Sequence, residues 1–235
     1  MKTLSIIIPA YNEEKTIAAI LQKVAEVKLI NGIQKEIIVV NDCSTDATEE
    51  RVKSYILSHA GEKIYLVNQR KNQGKGAAIR RGLQAVTGSY VIIQDADMES
   101  DPEDYNVLLE TFLKENLKVI YGSRFLHRQN RHSYRLFYLG GRLVTGFANL
   151  LFAQHLTDEP TCYKLFEVDF LRSIPLRCTG FEFCPEVTAK VAKRGVKIRE
   201  VAIRYYPRSI KEGKKIKWTD GLKALRTLLK YRFVN

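Results

Sequence analysis

The sequence predicts an α/β fold in which a mainly parallel sheet is flanked by helices. Short apolar runs occupy residues 4–8, 36–40, 64–67, 90–93 and 118–121. Because Val and Ile follow one another in these runs rather than alternating with polar residues, the runs indicate strands buried on both faces. Segments with the i, i+3, i+4 apolar spacing of helices separate the runs. Regular alternation of strands and helices is typical of a parallel sheet.

The connections of the first half carry helix-start signals. Glu13 and Glu14 are predicted in the first turn of the helix that begins the first crossover, where the helix dipole favours acidic side chains. Residues 44–46 are candidate caps for the next helix, and two glycines at 74 and 76 predict a tight turn into a helix over about 77–86. Pro102 is suited to the first turn of a further helix.

The second half is less regular. Residues 134–153 are aromatic and apolar, residues 161–166 and 196–206 are predicted strands, and residues 181–194 are a predicted helix. Residues 218–233 predict an amphipathic helix. Its leucines at 222, 225 and 229 share one face, and its basic residues at 223, 226 and 230 lie off that face. We find no clean domain boundary in the chain.

Charge is the main deviation from an ordinary composition. The chain has 235 residues, 45% hydrophobic and 27% charged, which excludes a disordered tail, a fibre and a coiled-coil rod. Its net charge of +12 is concentrated in two segments: residues 124–142 hold five Arg and no acid, and residues 204–235 hold ten basic and two acidic residues. Such segments indicate a polyanionic partner, with nucleic acid, anionic lipid and nucleotide phosphate as candidates.

The four cysteines form no C-x-x-C pair and are interpreted as free thiols in a reducing compartment. No uninterrupted apolar run approaches the roughly 18 residues of a membrane span.

Polar residues follow three of the predicted strands. Asp95 and Asp97 follow the fourth strand, Asp42 follows the second, and residues 9–14 follow the first. Ligands of parallel sheets bind beyond the carboxyl ends of the strands, so these side chains are expected at one edge. Two neighbouring carboxylates suit a Mg²⁺ ion that is shared with a diphosphate.

Four motifs, I-I-I-P-A-Y-N-E-E, I-V-V-N-D-C-S-T-D, N-Q-G-K-G-A-A-I-R-R-G and D-A-D, occur in that order. In this order they resemble the family 2 glycosyltransferases of GT-A fold. Residues 158–161, with Tyr163 and Lys164, resemble the D-P-T-S-G-F-R segment of dolichyl-phosphate mannosyltransferases and bacterial polyprenyl-phosphate relatives. The resemblance covers nearly the whole chain. It implies a single GT-A domain over 1–235, with a nucleotide-sugar half at 1–124 and an acceptor half at 125–235.

The resemblance also implies residue roles. It implies that the donor nucleotide contacts Pro9, Tyr11, Glu13, Asp42 and Asp95. It also implies that Mg²⁺ or Mn²⁺ is held by Asp95, Asp97 and Glu99. Glu99 stands where many relatives have Gln, so the shell of the ion would gain a third carboxylate.

The implied catalytic residues are Asp97, Arg124, Lys164 and Arg208. Lys164 stands where the subgroup usually has Arg, which keeps the charge but loses the bidentate fork. Residues 213–215 resemble, with Arg208, a phosphate-contacting loop.

The function expected from the resemblance is inverting, metal-dependent transfer of a hexose from GDP-mannose or a UDP-hexose to undecaprenyl or dolichyl phosphate. A phosphate acceptor, with a second pKa of about 6, needs orientation by cations more than a general base. A second reading stays open, in which the acceptor is a sugar hydroxyl of a surface polysaccharide and Glu182 or Glu186 is the base. Nucleic-acid binding is disfavoured, because no recognition motif is present and the carboxylates would repel phosphate.

Residues 134–153 and the C-terminal helix are suited to a membrane interface, which predicts a peripheral protein at the cytoplasmic, inner face of the membrane. Packing of both segments against the body, or against a second subunit in a homodimer, is the alternative.

Overall fold

The computed structural model describes residues 2–130, 135–208 and 218–234, without the side chain of residue 135. The strands are β1 (Thr3–Ala10), β2 (Gln34–Asn41), β3 (Ile64–Asn68), β4 (Tyr90–Ile93), β5 (Val119–Ser123), β6 (Lys164–Glu167) and β7 (Arg199–Ala202). The helices are α1 (Ile17–Glu26), α2 (Thr48–Ser58), α3 (Lys75–Ala85), α4 (Tyr105–Lys114), α5 (Arg135–Phe152), α6 (Val168–Arg172), α7 (Phe183–Lys193) and α8 (Trp218–Phe233). Short 3₁₀ turns occupy Ile30–Gly32 and Pro102–Asp104.

The described strands form one seven-stranded sheet in the order β3-β2-β1-β4-β6-β5-β7. Every neighbouring pair is parallel except the two that involve β6, which runs antiparallel to β4 and β5. The predicted α/β fold with a mainly parallel sheet is therefore confirmed. In the β1–β2 register Ala10 lies opposite Asn41, so the carboxyl ends of these strands meet at one edge.

The central strands are buried on both faces, as their continuous apolar runs predict. Ile6 of β1 and Val39 of β2 point into the core beneath α1, α2 and α4, whereas Ile7 and Val40 point into the core beneath α3 and α7. Successive residues of each strand thus pack into opposite cores, so the strands that end at the polar edge are held firmly in place.

The start of α1 differs from the prediction, because the helix begins at Ile17 and excludes Glu13 and Glu14 from its first turn. The backbone N–H of Glu14 donates to Asp46 at 3.1 Å, and that of Glu13 donates to Thr48 at 2.8 Å. These bonds to the next connection hold both glutamates in a loop.

Two strands of the second half are shorter than predicted. The strand predicted over 161–166 is Lys164–Glu167, and the strand predicted over 196–206 is Arg199–Ala202. The partner β5 has only five residues, which limits both ladders. Beyond β7 the chain leaves the sheet, and Tyr205 forms an isolated bridge with Ser100 beside the polar edge.

Helices α5 and α8 pack together against α7 through Val144, Ala148, Ala189 and Leu228. The predicted apolar face of α8 is largely exposed, since Leu222 is 56% and Leu229 47% accessible. The buried face consists of Thr227, Leu228 and Tyr231 instead. Tertiary packing on α5 and α7 overrides the leucine pattern. Within the described ranges, none of the helices has the length and hydropathy to cross a membrane.

Candidate active site

A cavity of about 470 Å³ lies at the carboxyl edge of the sheet. The predicted site residues that line it are Pro9, Tyr11, Glu13, Asp42, Asp95, Asp97, Glu99, Arg124 and Arg208. Lys164 is missing from its walls. Because the strands are parallel, residues separated by as many as 199 positions in the sequence meet at this one edge.

Two loops that follow β1 and β2 clasp each other at one end of the cavity. Asn12 donates its N–H to Ser44 at 3.0 Å and accepts from the N–H of Thr45 at 2.8 Å. Asn12 and Cys43 adopt positive φ angles of 52° and 60°, a region that Asn tolerates better than most residues. The clasp fixes the backbone that carries Tyr11 and Asp42.

Asp42 ties the β2 loop to the start of α3. Its carboxylate accepts from Nε2 of Gln69 at 2.6 Å, from the N–H of Gln73 at 2.8 Å and from the N–H of Gly74 at 2.7 Å. Asp42 is buried, so these donors replace the water that the carboxylate loses. The residue both lines the cavity and positions the helix that carries Lys75.

The turn into α3 brings Lys75 onto the first carboxylate. Nζ of Lys75 lies 2.5 Å from Oδ1 of Asp95. A Cβ on Gly74, whose φ is 92°, would lie 2.6 Å from the carbonyl oxygen of Thr179, and one on Gly76 would lie 2.8 Å from that of Cys178. The two glycines therefore allow the 178–180 loop to cross the helix start. Burial disfavours the ammonium, but the carboxylate of Asp95 raises the pKa of Lys75 above its usual value.

Asp97 is held by an arginine from the far end of the chain. Nη2 of Arg208 lies 2.9 Å from Oδ2 of Asp97, and Nη1 lies 3.9 Å from Glu13. Burial, together with the charges of Asp95 and Glu99, raises the pKa of Asp97 to about 7, although Arg208 opposes the rise. The cavity thus concentrates more negative charge than its own cations neutralise.

Glu99 does not join the two aspartates as predicted. Its carboxylate accepts from the hydroxyl of Tyr205 at 2.9 Å and from the N–H of Arg208 at 3.0 Å. No three His, Cys, Asp or Glu side chains are gathered to hold a metal ion within residues 2–130, 135–208 and 218–234. In this arrangement Tyr205 and Arg208 engage the carboxylate of Glu99, so its role as a third metal ligand stays a prediction.

The remaining pair, Asp95 and Asp97, fits a divalent ion. Carboxylate oxygens are the ligands of Mg²⁺, which typically takes one or two of them together with substrate phosphate oxygens. Both side chains line the cavity, and each is paired with a cation of the chain, Asp95 with Lys75 and Asp97 with Arg208. A dication bound between them would relieve the repulsion that raises the pKa of Asp97.

Arg124 is fixed by a bidentate ion pair. Its Nε and Nη2 lie 2.7 Å from the two oxygens of buried Asp158, and its backbone N–H donates to the same carboxylate at 2.9 Å. The guanidinium also lies 5.1 Å from the ring centre of Tyr205. Burial disfavours the charge, but Asp158 raises the pKa of Arg124, so the guanidinium stays cationic at the cavity wall.

Lys164 is placed away from both the cavity and solvent. It is fully buried, its Nζ donates to the carbonyl of Glu159 at 2.6 Å, and the ammonium lies 3.7 Å from the ring centre of Tyr121. Lys164 does not line the cavity in this arrangement, and its catalytic role stays a prediction. Its β6 position packs it beneath the site, where it supports the 158–161 segment.

The two glutamates considered as bases for a hydroxyl acceptor also lie outside the cavity. Glu182 accepts from the N–H groups of Thr179 and Gly180 at 3.3 and 3.1 Å. Glu186 is buried and pairs with Lys190 at 2.6 Å. Both have structural partners, so neither faces an acceptor in this geometry. Residues 213–215 lie outside the described residues.

A second cavity of about 490 Å³ adjoins the first and lies between α5 and α8. Its walls are mostly apolar and include Leu136, Leu139, Leu143, Val144, Phe183, Trp218 and Ala224. We call it the apolar groove and the first one the donor cavity. Both are lined by Lys75, Arg124, Pro160, Phe181 and Tyr205, which form the junction between them.

Three residues of this site were not assigned by the sequence. Lys75 is marked only by the N-Q-G-K-G motif, where the glycines suggest a turn rather than a ligand. Tyr205 lines the donor cavity without any local signal, and Thr161 is marked only as part of the 158–161 motif, which assigns it no role. All three reach the site through long-range packing.

Comparison with known proteins agrees with this geometry. Residues 5–174 match the model of the family described as Glycosyl transferase family 2. The chain is 27% identical over 245 residues to a dolichyl-phosphate beta-glucosyltransferase of Dictyostelium discoideum, with 98% of this chain and 74% of that protein covered. It is 30% identical over 244 residues to a dolichyl-phosphate beta-glucosyltransferase of Trichomonas vaginalis, covering 97% and 72%.

A third relative, dodecaprenyl-phosphate galacturonate synthase of Rhizobium johnstonii, is 26% identical over 210 residues, covering 87% of this chain and 59% of that protein. Among solved structures, glucosyl-3-phosphoglycerate synthase of Mycobacterium tuberculosis in complex with Mn²⁺, UDP and phosphoglyceric acid has a TM-score of 0.74 at 22% identity. That match covers 100% of this chain and 80% of the other.

The fold is therefore the GT-A fold, as the sequence motifs predict. The chain belongs to glycosyltransferase family 2 and is a glycosyltransferase.

Proposed function

We propose that this protein transfers a hexose, with inversion and with the help of a divalent metal, from a nucleoside diphosphate sugar to a polyprenyl phosphate. One observation carries the proposal: a polar cavity and an apolar groove of similar volume share a junction lined by Lys75 and Arg124. A water-soluble donor suits the first space and an isoprenoid chain suits the second. The two cations lie where the phosphates of both substrates would meet.

In the donor cavity, the nucleoside would lie against Pro9, Tyr11, Glu13 and Asp42, and the diphosphate would lie beside Asp95 and Asp97. A divalent ion held by those two aspartates would neutralise charge that develops on the leaving diphosphate. Arg208 pairs with Asp97 in the described structure, and we propose that it turns to the diphosphate when the donor binds. Donor binding would then exchange internal ion pairs for contacts to substrate.

In the transfer step, a phosphate oxygen of the acceptor attacks the anomeric carbon, and the bond from that carbon to the donor diphosphate breaks. The electron pair leaves with the nucleoside diphosphate, and a single displacement inverts the anomeric centre. The acceptor phosphate is largely ionised near neutral pH, with a second pKa of about 6, so the step requires no general base. Lys75 and Arg124 would orient the two anionic groups and reduce their repulsion.

The names of the relatives support this choice of acceptor. Two of them act on dolichyl phosphate and a third is named for dodecaprenyl phosphate. The choice of UDP-glucose as a first donor to test is supported by the UDP bound in the structural neighbour. The single domain over 1–235 and its division at about residue 124 form part of the same proposal.

Membrane contact at the inner face is the third part of the proposal. Leu136, Leu139, Leu143 and Leu150 of α5 are exposed, as are Trp218, Leu222, Leu229 and Phe233 of α8. Lys223, Arg226 and Lys230 flank this apolar surface. Insertion of the surface into an anionic leaflet would bring the mouth of the apolar groove to the lipid acceptor.

The proposal is tested with purified protein, radiolabelled UDP-glucose or GDP-mannose, Mn²⁺ and an undecaprenyl or dolichyl phosphate. We expect label to enter the organic phase as an acid-labile lipid phosphate sugar. Chelation of the metal should abolish the product, and proton NMR of the product should report the inverted anomer. Label that enters only a water-soluble saccharide would instead support the hydroxyl-acceptor reading.

A further inference from the structure

Thr161 carries a buried hydroxyl for which the structure provides no partner. The residue is 1% exposed, it lines the donor cavity, and no described residue forms a hydrogen bond with its Oγ1. Buried hydroxyls in folded proteins are almost always paired, and leaving one unpaired costs free energy. A ligand in the cavity is the natural candidate for the missing partner.

The backbone of Thr161 is held rigidly from both sides. Its N–H lies 3.4 Å from the carbonyl of Asp158, and its carbonyl accepts from the thiol of Cys184 at 3.6 Å. Asp158 is itself fixed by Arg124 and by Glu200, whose carboxylate accepts from the Asp158 N–H at 3.0 Å. The backbone of Thr161 is therefore held in place, which lowers the entropic cost of ordering this residue around a ligand.

If a donor binds as in the proposed function, Thr161 would lie near its sugar end. The nucleoside loops follow β1 and β2, and the diphosphate carboxylates follow β4. Pro160, the neighbour of Thr161, borders both the donor cavity and the apolar groove. The group to be transferred must lie at this junction, between the diphosphate and the incoming acceptor.

We propose that Thr161 is a sugar-recognition residue, whose hydroxyl forms a hydrogen bond with one hydroxyl of the hexose that is transferred. The inference rests on the proposed function, since it needs a nucleotide sugar in the donor cavity. It adds a specificity contact that the carboxylates and the cations of the site do not supply. A sugar that lacks the matching hydroxyl would leave Oγ1 unpaired.

The test compares the wild type with Thr161→Val, which removes the hydroxyl at similar volume, and with Thr161→Ser, which keeps it. Calorimetry in the presence of Mn²⁺ measures the affinity of each protein for UDP and for UDP-glucose or GDP-mannose, whichever the wild type binds. Thr161→Val should lower the affinity for the nucleotide sugar by about 10-fold and leave the affinity for the nucleoside diphosphate unchanged. Thr161→Ser should retain most of the affinity.

Monodeoxy donors then identify the sugar hydroxyl. The wild type should bind one of these donors about 10-fold more weakly than the complete nucleotide sugar. Thr161→Val should bind the two equally, because the variant already lacks the hydrogen bond to that sugar hydroxyl. Equal binding of the nucleotide sugar by wild type and Thr161→Val would overturn the inference. So would a loss confined to the acceptor KM, which would assign the hydroxyl to the acceptor phosphate.

The two proposals fail in distinguishable ways. If the wild type binds no nucleotide sugar, both are wrong. If the wild type binds one and Thr161→Val binds it equally well, only the sugar contact is wrong. Melting temperatures of the three proteins verify that each is folded, and Thr161→Ser decides the question should the valine variant be unstable.

Discussion

The donor cavity and the apolar groove are nearly equal in volume, at about 470 and 490 Å³, but their walls differ in kind. The donor cavity gathers Asp95, Asp97 and Glu99, each already engaged with Lys75, Arg208 or Tyr205. The groove is built from the side chains of α5 and α8, and much of that surface remains open to solvent. The walls of the first space are rich in charged side chains and those of the second are mostly apolar, and this difference underlies the proposed roles of the two spaces.

The contrast explains why ion pairs concentrate at the junction. In the proposed reaction, a phosphate entering from the groove and a diphosphate lying in the cavity would repel each other unless cations separated them. Lys75 and Arg124 are held there by Asp95 and Asp158, so their charges are positioned before substrate arrives. The following substitutions test whether the two spaces have separate roles.

The largest effect is expected for Asp97→Asn. Loss of one of the two carboxylates proposed to hold the metal should lower the transfer rate by about 10³-fold, as expected when a group that stabilises transition-state charge is removed. Stability should not fall, because Asp97 is repelled by Asp95 and Glu99 in the folded protein. Turnover and melting temperature, measured on the same preparation, check both statements.

Glu103→Gln is the matched control, since it removes an exposed carboxylate six positions along the chain. It should retain normal turnover. A normal rate for Asp97→Asn with metal present would refute the assignment of the metal site.

These expectations draw on the part of the site that the sequence predicted. Asp95 and Asp97, with Asp42, were located from strand ends alone, because parallel strands bring their carboxyl ends to one edge whatever the details of packing. The first five strands were found for a related reason. A strand buried on both faces must be apolar throughout, and such a run is visible in the sequence.

The parts that were missed depend on contacts between distant segments. Lys75 reaches Asp95 because the 178–180 loop closes over Gly74 and Gly76, a contact across about a hundred residues. The motif around Lys164 implies a catalytic residue, whereas β6 buries the side chain against Tyr121. The buried face of α8 likewise depends on the shape of α5 and α7, which no pattern in α8 encodes.

The next effect separates the two junction cations. Lys75→Met and Arg124→Met should each lower transfer by about 10²-fold, because each removes a charge that faces both substrates. Only Arg124→Met should also lower the free energy of unfolding, by about 3–5 kcal/mol, because it leaves a carboxylate buried without its partner. The side chain of Asp158 is 0% exposed, whereas that of Asp95 is 24% exposed.

Chemical denaturation and initial rates distinguish these outcomes. Arg124→Lys serves as the control, since it keeps the charge and loses the bidentate fork. Full activity of Lys75→Met would show that the junction works through Arg124 alone.

A smaller effect is expected at the membrane surface. The double variant Lys223→Gln/Arg226→Gln should reduce partition onto vesicles of anionic lipid by about 30-fold, since each basic residue near such a leaflet contributes roughly 1 kcal/mol. Lys23→Gln/Lys28→Gln, which removes the same charge from the exposed surface around α1, should bind as the wild type does. Vesicle co-sedimentation at low salt measures both, and equal partition of the two variants would contradict the proposed orientation.

The smallest effect tests the groove itself through Leu139→Gln. Leu139 lines the groove and is 61% exposed, so a lipid chain would cover the rest of it. Covering such a side chain contributes about 1.5 kcal/mol, and its loss should raise KM for a long polyprenyl phosphate by about 10-fold. KM for the nucleotide sugar should stay unchanged, because the donor cavity does not include Leu139.

Leu150→Gln provides a control on the same helix, since Leu150 is 79% exposed and lies outside the groove. Chain length supplies the second comparison: an acceptor with two isoprene units should not distinguish Leu139→Gln from the wild type if it ends before that residue. If both leucine variants raised KM for the long acceptor equally, the effect would come from docking of the surface onto the bilayer. A loss confined to Leu139 and to long chains requires the lipid to lie in the groove, which is the feature that separates this half of the molecule from the donor half.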